Sequence, residues 1–225
     1  LLIAGERTGE RGDERWGEIC TQNRGVMRFD VLMRGKRGHS GLAGAQMDLI
    51  ERLFVARNTL QEIMKKYLTL SGNEGWVSQV NFPFMQVGTP GIYNITADCA
   101  VLGVEVRPIP QDDLKPLLAE LQAFCESQSL ELSISVIDNG IASDPENPFL
   151  QALMDAVQRV TGEQPRLGRK MPATSARFAP QGQGVVWGQS GIAPHGRDER
   201  HYIPSILPYY RALEEFGKIL LAQNG

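Results

Sequence analysis

The sequence predicts an α/β protein in which a compact sheet-and-helix unit interrupts a second α/β domain. Three observations predict it. Six apolar-periodic segments follow one another between residues 25 and 138 in the order β-α-β-β-α-β, the split βαβ or ferredoxin-like unit. The flanks, 1–20 and 139–225, are each too small to enclose a core of useful size, so they are expected to form one domain together. Leu1-Leu2-Ile3-Ala4 reads as a buried strand, and a lone buried strand needs neighbours to pair with. That abrupt start suggests the C-terminal part of a longer protein.

Residues 1–5 form the first expected strand, ending in Gly5-Glu6-Arg7-Thr8. A carboxylate just past the end of a core strand is a common place for ligand chemistry, although an ordinary solvated turn also accounts for it. Residues 7–15 are glycine-rich and charged, hence a loop. Met27, Phe29, Val31 and Met33 alternate with polar neighbours, the pattern of a half-buried strand. The basic, glycine-rich connector Gly35-Lys36-Arg37-Gly38-His39-Ser40-Gly41 follows. Residues 43–68 carry Met47, Ile50, Phe54, Ile63, Met64 and Tyr67 at helical spacing, and Gly72 is a stop signal.

Residues 76–87 and 92–107 read as two strands around the turn Gly88-Thr89-Pro90-Gly91. A helix is expected over 111–128, with Leu114, Leu117, Leu118, Leu121 and Phe124 on one face. Leu130, Leu132, Ile134 and Val136 make the last alternating strand. Residues 139–148 form a turn-rich linker. The helix at 148–161 turns Phe149, Leu153, Val157 and Val160 inward, and a short helix at 174–179 carries Arg177. Val185, Val186 and Trp187 look like a buried strand, which Gly188, Gly191 and Gly196 break into a loop. That loop holds His195 near Asp198 and Glu199. A helix at 205–223 closes the chain, with Ile206, Tyr210, Leu213, Phe216 and Leu220 as its buried face. A neutral imidazole on a strand-to-helix loop is well placed to bind a metal or move a proton, while a solvated surface loop is the plainer reading of that stretch alone.

The 225 residues are 42% hydrophobic and 22% charged, as in an ordinary soluble globular protein. A net charge of −3 gives no electrostatic footprint for nucleic acid. No apolar run reaches membrane-spanning length, and no signal peptide is visible. Cys20, Cys99 and Cys125 are odd in number and widely spaced, which suggests neither a disulfide framework nor a cysteine-based zinc site. A cytoplasmic location is the simplest expectation.

Six short segments together resemble the dinuclear-zinc amidohydrolase family of carboxypeptidase G, acetylornithine deacetylase and succinyl-diaminopimelate desuccinylase. They are Gly5-Glu6-Arg7-Thr8, Arg37-Gly38-His39-Ser40-Gly41, Gly91-Ile92-Tyr93-Asn94-Ile95-Thr96-Ala97-Asp98, Glu105-Val106-Arg107-Pro108-Ile109-Pro110, Thr174-Ser175-Ala176-Arg177-Phe178 and Ala193-Pro194-His195-Gly196-Arg197-Asp198-Glu199. Each is weak alone, but together they stand in the family's order and span nearly the whole chain. The resemblance implies a zinc-binding α/β domain interrupted by a ferredoxin-like dimerisation (lid) domain. It assigns residues 1–22 and 139–225 to an incomplete catalytic domain and 23–138 to the lid.

The resemblance also implies roles. Glu6 matches a ligand of one zinc and His195 a ligand of the other, with cobalt or manganese as possible replacements. His39 matches the lid histidine that reaches the partner subunit's site and supports the developing oxyanion, and Asn94 the asparagine that assists it. Arg177 matches an arginine that clamps the substrate's carboxylate. The implied reaction is hydrolysis of an amide bond in an N-acyl amino acid or small peptide by a homodimer. Two zincs polarise the carbonyl and activate a water there.

Three departures qualify the match. The family's His-x-Asp motif, bridging aspartate and Glu-Glu pair all lie upstream of Leu1. Arg7 stands where the family has proline, and Ala176 where it often has aspartate. The chain by itself is therefore expected to be inactive. An alternative is a catalytically inactive dimerisation fragment or a degenerate relative.

Overall fold

The computed structural model describes residues 1–9, 17–42, 48–72, 75–180 and 182–223. In chain order its elements are β1 (Leu2–Ala4), β2 (Ile19–Arg34), α1 (Leu49–Tyr67), β3 (Gln79–Val87), β4 (Cys99–Arg107), α2 (Leu114–Ser127) and β5 (Leu130–Ala142). There follow α3 (Pro148–Thr161), β6 (Leu167–Lys170), a 3-10 helix at Ser175–Phe178, β7 (Gly184–Val186), β8 (Gly191–Ile192), β9 (Arg200–His201) and α4 (Ile206–Gln223). The chain divides into two compact units, an inner one of Gly25–Asn139 and an outer one of Leu1–Arg24 with Gly140–Gly225. The division falls inside β2 and β5.

In the inner unit the strands lie in the order β5-β2-β4-β3, with α1 and α2 between them in sequence. This is the βαββαβ arrangement that the periodicity of residues 25–138 predicts. β2 and β4 run antiparallel, with Phe29 opposite Val104 and Val31 opposite Leu102. Successive strand residues point to opposite faces, so Met27, Phe29, Val31 and Met33 all reach one core. They meet Leu53, Leu60 and Met64 of α1 and Leu114, Leu117 and Leu121 of α2 there. Burying each such side chain contributes about 1.5–3 kcal/mol.

The Asp48 carboxylate accepts hydrogen bonds from Ile50 N at 2.9 Å and Glu51 N at 3.4 Å, which fixes the start of α1. Asp113 does the same for α2 through Lys115 N at 3.0 Å. The buried stripe of α1 is Leu49, Leu53, Ala56, Leu60, Ile63 and Met64. Ile50 and Phe54, expected inward, are 52% and 53% exposed. The helix carries two apolar stripes, and the sheet takes the one that includes Leu49 and Leu53. Met47 and the start of the expected helix at 43–47 lie outside the described residues. The strand expected from residue 92 begins at Cys99, because residues 94–96 pair instead with the basic connector.

In the outer unit β1 and β7 run parallel, with Leu2, Ile3 and Ala4 opposite Gly184, Val185 and Val186. The first residues of β2 pair with β6 and, at Cys20, with Val186. α3 and α4 cover this layer through Leu150, Leu153, Val157, Tyr209 and Ala212, around Ile19, Val185 and Trp187. The Trp187 and Tyr209 rings sit 4.9 Å apart at 54°, and the Tyr209 hydroxyl donates to Trp187 O at 3.2 Å. α3 spans the predicted 148–161, with Asn147 as its N-cap, Pro148 in its first turn and Gly162 in the left-handed region after its end.

The helix faces match expectation in part: Leu153 and Val157 are buried as expected, and Leu213 and Phe216 pack against the same core. Phe149 of α3 and Ile206 and Tyr210 of α4 are exposed, whereas Leu150 and Tyr209 are buried. β6 and the β8–β9 pair were not expected. They are too short to carry a period. No described helix is long and apolar enough to cross a membrane.

Candidate functional site

The outer unit gathers three of the five candidate residues near the C-terminal ends of β1 and β7. Parallel pairing puts both ends on the same edge of the sheet, where the loops of open α/β sheets form ligand sites. Ala4 O accepts from both Trp187 N at 3.1 Å and Glu6 N at 2.8 Å. The two exits then run side by side: Gly9 bridges Ser190 in parallel, and Gly191 N donates to Gly9 O at 3.1 Å. Only glycine fits at position 188, because a Cβ there would lie 2.4 Å from Glu6 O.

Glu6 turns its carboxylate to the 3-10 helix. Its Oε1 accepts from Ser175 N at 2.7 Å and from Ser175 Oγ at 2.6 Å. Arg177 stands two residues further on. Its guanidinium lies 4.5 Å over the Phe178 ring, and Nη1 donates to Thr174 O at 3.4 Å. Arg7 stands where the family has proline, and Lys170 Nζ donates to its backbone oxygen at 2.5 Å. The Arg7 side chain lies against Gly191 at the foot of the β8–β9 hairpin.

His195 sits in the turn of that hairpin, whose strands pair Gly191 with His201 and Ile192 with Arg200. Both Ala193 and His195 adopt positive φ, +53° and +60°. A left-handed non-glycine residue costs about 1–3 kcal/mol and persists only where its surroundings hold it. The holding contacts are Gly196 N to Ala193 O at 3.0 Å and His195 N to Glu199 Oε2 at 3.2 Å. Glu199 thus engages the backbone of His195 and not its ring, which is on an exposed residue. His201 is exposed on β9.

The inner unit brings together the remaining two. The connector after β2 and the segment before β4 zip into a short antiparallel ladder. Ser40 N donates to Asn94 O at 3.0 Å, Thr96 N to Gly38 O at 2.9 Å, and His39 bridges Ile95. Thr96 Oγ1 adds a bond to Lys36 O at 2.9 Å. The register sets Ile95, not Asn94, directly across from His39, so the two candidates are neighbours on the ladder but not partners across it. His39 Nδ1 accepts from Gly41 N at 3.1 Å. A backbone N–H cannot give up its proton, so the neutral ring carries its own proton at Nε2. The exposed imidazole therefore presents a donor.

Ala176 cannot position a substrate. It is fully buried against Ala4, Cys20 and Val186. The residue that meets Glu6 is Ser175. Sequence reasoning missed Ser175, because its bonds to Glu6 join residues 169 positions apart.

Glu6 and His195 are suitable for a zinc ion in kind: a carboxylate whose Oε1 alone is engaged by Ser175, and an exposed imidazole. They fall short in number. Among the described residues no three histidine, cysteine or acidic side chains stand together as a metal-holding group.

A ferredoxin-like unit thus interrupts the chain of an α/β unit whose loops carry Glu6 and His195. Residues 21–132 match the M20 peptidase dimerisation domain. It is 26% identical over 232 residues to the succinyl-diaminopimelate desuccinylase of Granulibacter bethesdensis, an alignment covering 96% of this chain and 58% of that protein. Its fold is similar to that of a Staphylococcus aureus tripeptidase, with a TM-score of 0.69 and 15% identity over 96% of this chain and 56% of the other. It is also similar to an M20 family metallo-carboxypeptidase from Sulfolobus solfataricus, with a TM-score of 0.66 and 14% identity over 96% of this chain and 62% of the other. The chain thus spans a little over half the length of these relatives.

Proposed function

We propose that the protein of which this chain forms the C-terminal part is a metal-dependent hydrolase that cleaves the amide bond of an N-acyl amino acid or small peptide. One observation carries the reading: Glu6 and the His195 hairpin leave the same edge of one parallel strand pair, β1 and β7, along adjoining loops. When bound, two zinc ions supply carbonyl polarisation and an activated water. Glu6 offers its second carboxylate oxygen and His195 its ring. Arg177 receives the substrate's carboxylate as a planar fork. His39 of one subunit donates its Nε2 proton to the developing oxyanion in its partner's site, with Asn94 beside it. One preorganised donor of this kind is worth about 3–4 kcal/mol in the transition state.

The second copy is proposed to dock on the β3 edge. β3 pairs with β4 alone among the described strands. Above that edge Ile50, Phe54 and Met85 are exposed, and Arg57 stacks 4.5 Å over the Phe82 ring of β3. An open strand edge beside exposed apolar side chains is a template for a further strand. The chain is proposed to be cytoplasmic.

The test is hydrolysis of N-acyl amino acids, N-succinyl compounds among them, by the complete protein before and after chelation and zinc replenishment. Activity lost with the metal and restored by it is the expected result, with His39→Ala lowering kcat by roughly 10²–10³-fold. Turnover indifferent to chelation would remove the reading. The absence of any three-ligand group among the described residues favours a second reading for the 225 residues by themselves, a dimerising fragment without activity.

A further inference from the structure

We infer that Arg7 selects the charge of the substrate: its guanidinium receives a second carboxylate, so that the amide cleaved is one whose acyl part ends in an acid. The inference rests on the reading of the Glu6 and His195 loops as a hydrolase site, and it names the substrate class of that site. Glu6 and Arg7 leave the end of β1 in different directions. Glu6 reaches the 3-10 helix, where Ser175 holds it and Arg177 follows two residues on. Arg7 goes to the hairpin that carries His195. Its Cδ and Nη1 take the space beside Gly191, where a Cβ would lie 3.0 Å from each. A guanidinium thus stands on either side of Glu6.

The backbone of Arg7 is firmly placed. Lys170 Nζ donates to its oxygen at 2.5 Å, Thr8 Oγ1 exchanges hydrogen bonds of 3.4 Å with Gly188, and Gly9 bridges Ser190. The side chain is half-buried, yet among the described residues nothing accepts a hydrogen bond from its guanidinium. That group carries five N–H donors in a planar fork and keeps its charge at any working pH. Half-buried and without a protein acceptor, it is suited to a carboxylate from outside the chain. Arg177 is read as the clamp on the amino acid's carboxylate. Arg7 lies on the other side of Glu6, which assigns it to the acyl part. Proline, the family's residue at this position, brings neither charge nor donor, so the selectivity belongs to this chain.

The experiment compares the N-succinyl and N-butyryl derivatives of one amino acid, which differ by a terminal carboxylate, as substrates of the complete, metal-loaded protein. Binding of the free acids, succinate and butyrate, is followed in parallel by calorimetry. The variants are Arg7→Met, which keeps the stem without the charge, and Arg7→Lys. The parent is expected to favour the succinyl amide. Arg7→Met is expected to cut the succinyl-over-butyryl ratio of kcat/KM about 10–100-fold, chiefly through KM, as loss of a hydrogen bond to a charged group does. The succinate-over-butyrate ratio of affinities should fall by a similar factor. Arg7→Lys, a point charge without the fork, is expected to recover part of both. Ratios kept by Arg7→Met would overturn the role of Arg7. So would an equal loss on both amides, the mark of a disturbed fold, or a parent indifferent to the terminal carboxylate. Hydrolysis of neither amide would remove the hydrolase reading and this inference with it.

Discussion

Asp112 is 5% exposed and accepts from Thr69 N at 3.1 Å, Thr69 Oγ1 at 2.8 Å and Ser78 Oγ. Ser78 Oγ in turn receives Ile109 N at 2.8 Å, so one carboxylate ties the end of α1, the start of β3 and the approach to α2. Asp112→Ala would strand buried donors, and a loss of about 3 kcal/mol is expected from urea unfolding, with Asp112→Asn costing less. Glu105 poses a pH question. Burial pushes its carboxyl up, but hydrogen bonds and charge from Arg28 and Arg107 outweigh that and hold it below its ordinary value. A depressed folded-state carboxyl contributes its stability above the unfolded pKa and loses it as pH falls through the folded one. Glu105→Gln is therefore expected to cost about 1 kcal/mol at pH 7, with the gap closing on acidification below the ordinary carboxylate range. A gap equally wide in acid would contradict the ion-pair account. At this scale the sequence was legible where a motif was long enough. Glu6, His39, Asn94, Arg177 and His195 could be singled out, but the two bonds from Ser175 to Glu6 join residues 169 positions apart and leave no local pattern.

At the level of elements, strand alternation located the inner sheet, because β2 and β4 bury one face and show the other to solvent. Helix faces were harder. α1 has enough apolar residues for two stripes, and α3 and α4 each offer adjacent large side chains, Phe149 beside Leu150 and Tyr210 beside Tyr209. Periodicity states that a stripe exists. Which of two neighbours faces inward is decided by the layer underneath, which single-sequence periodicity does not contain. The leftover stripe of α1 is where a consequence can be measured. Phe54→Asp places a charge on the face proposed for the second copy while leaving the buried Leu53 and Leu60 in place. It is expected to convert dimer to monomer in sedimentation, with helical circular dichroism retained. A variant that stays dimeric would move the interface elsewhere.

For the whole molecule, the order of elements was legible because the inner unit is self-contained. The pairing of β1 with β7 was not, since it joins residues 2–4 to 184–186 across the entire inner unit. That long-range pairing is what sets Glu6 beside the His195 hairpin, and the functional reading depends on it. The most direct measurement is an anomalous-difference map at the zinc edge from crystals of the complete protein grown with zinc. The account predicts two neighbouring peaks, one bonded to a Glu6 carboxylate oxygen and the other to the His195 ring. Zinc peaks that leave both side chains uncoordinated would contradict it.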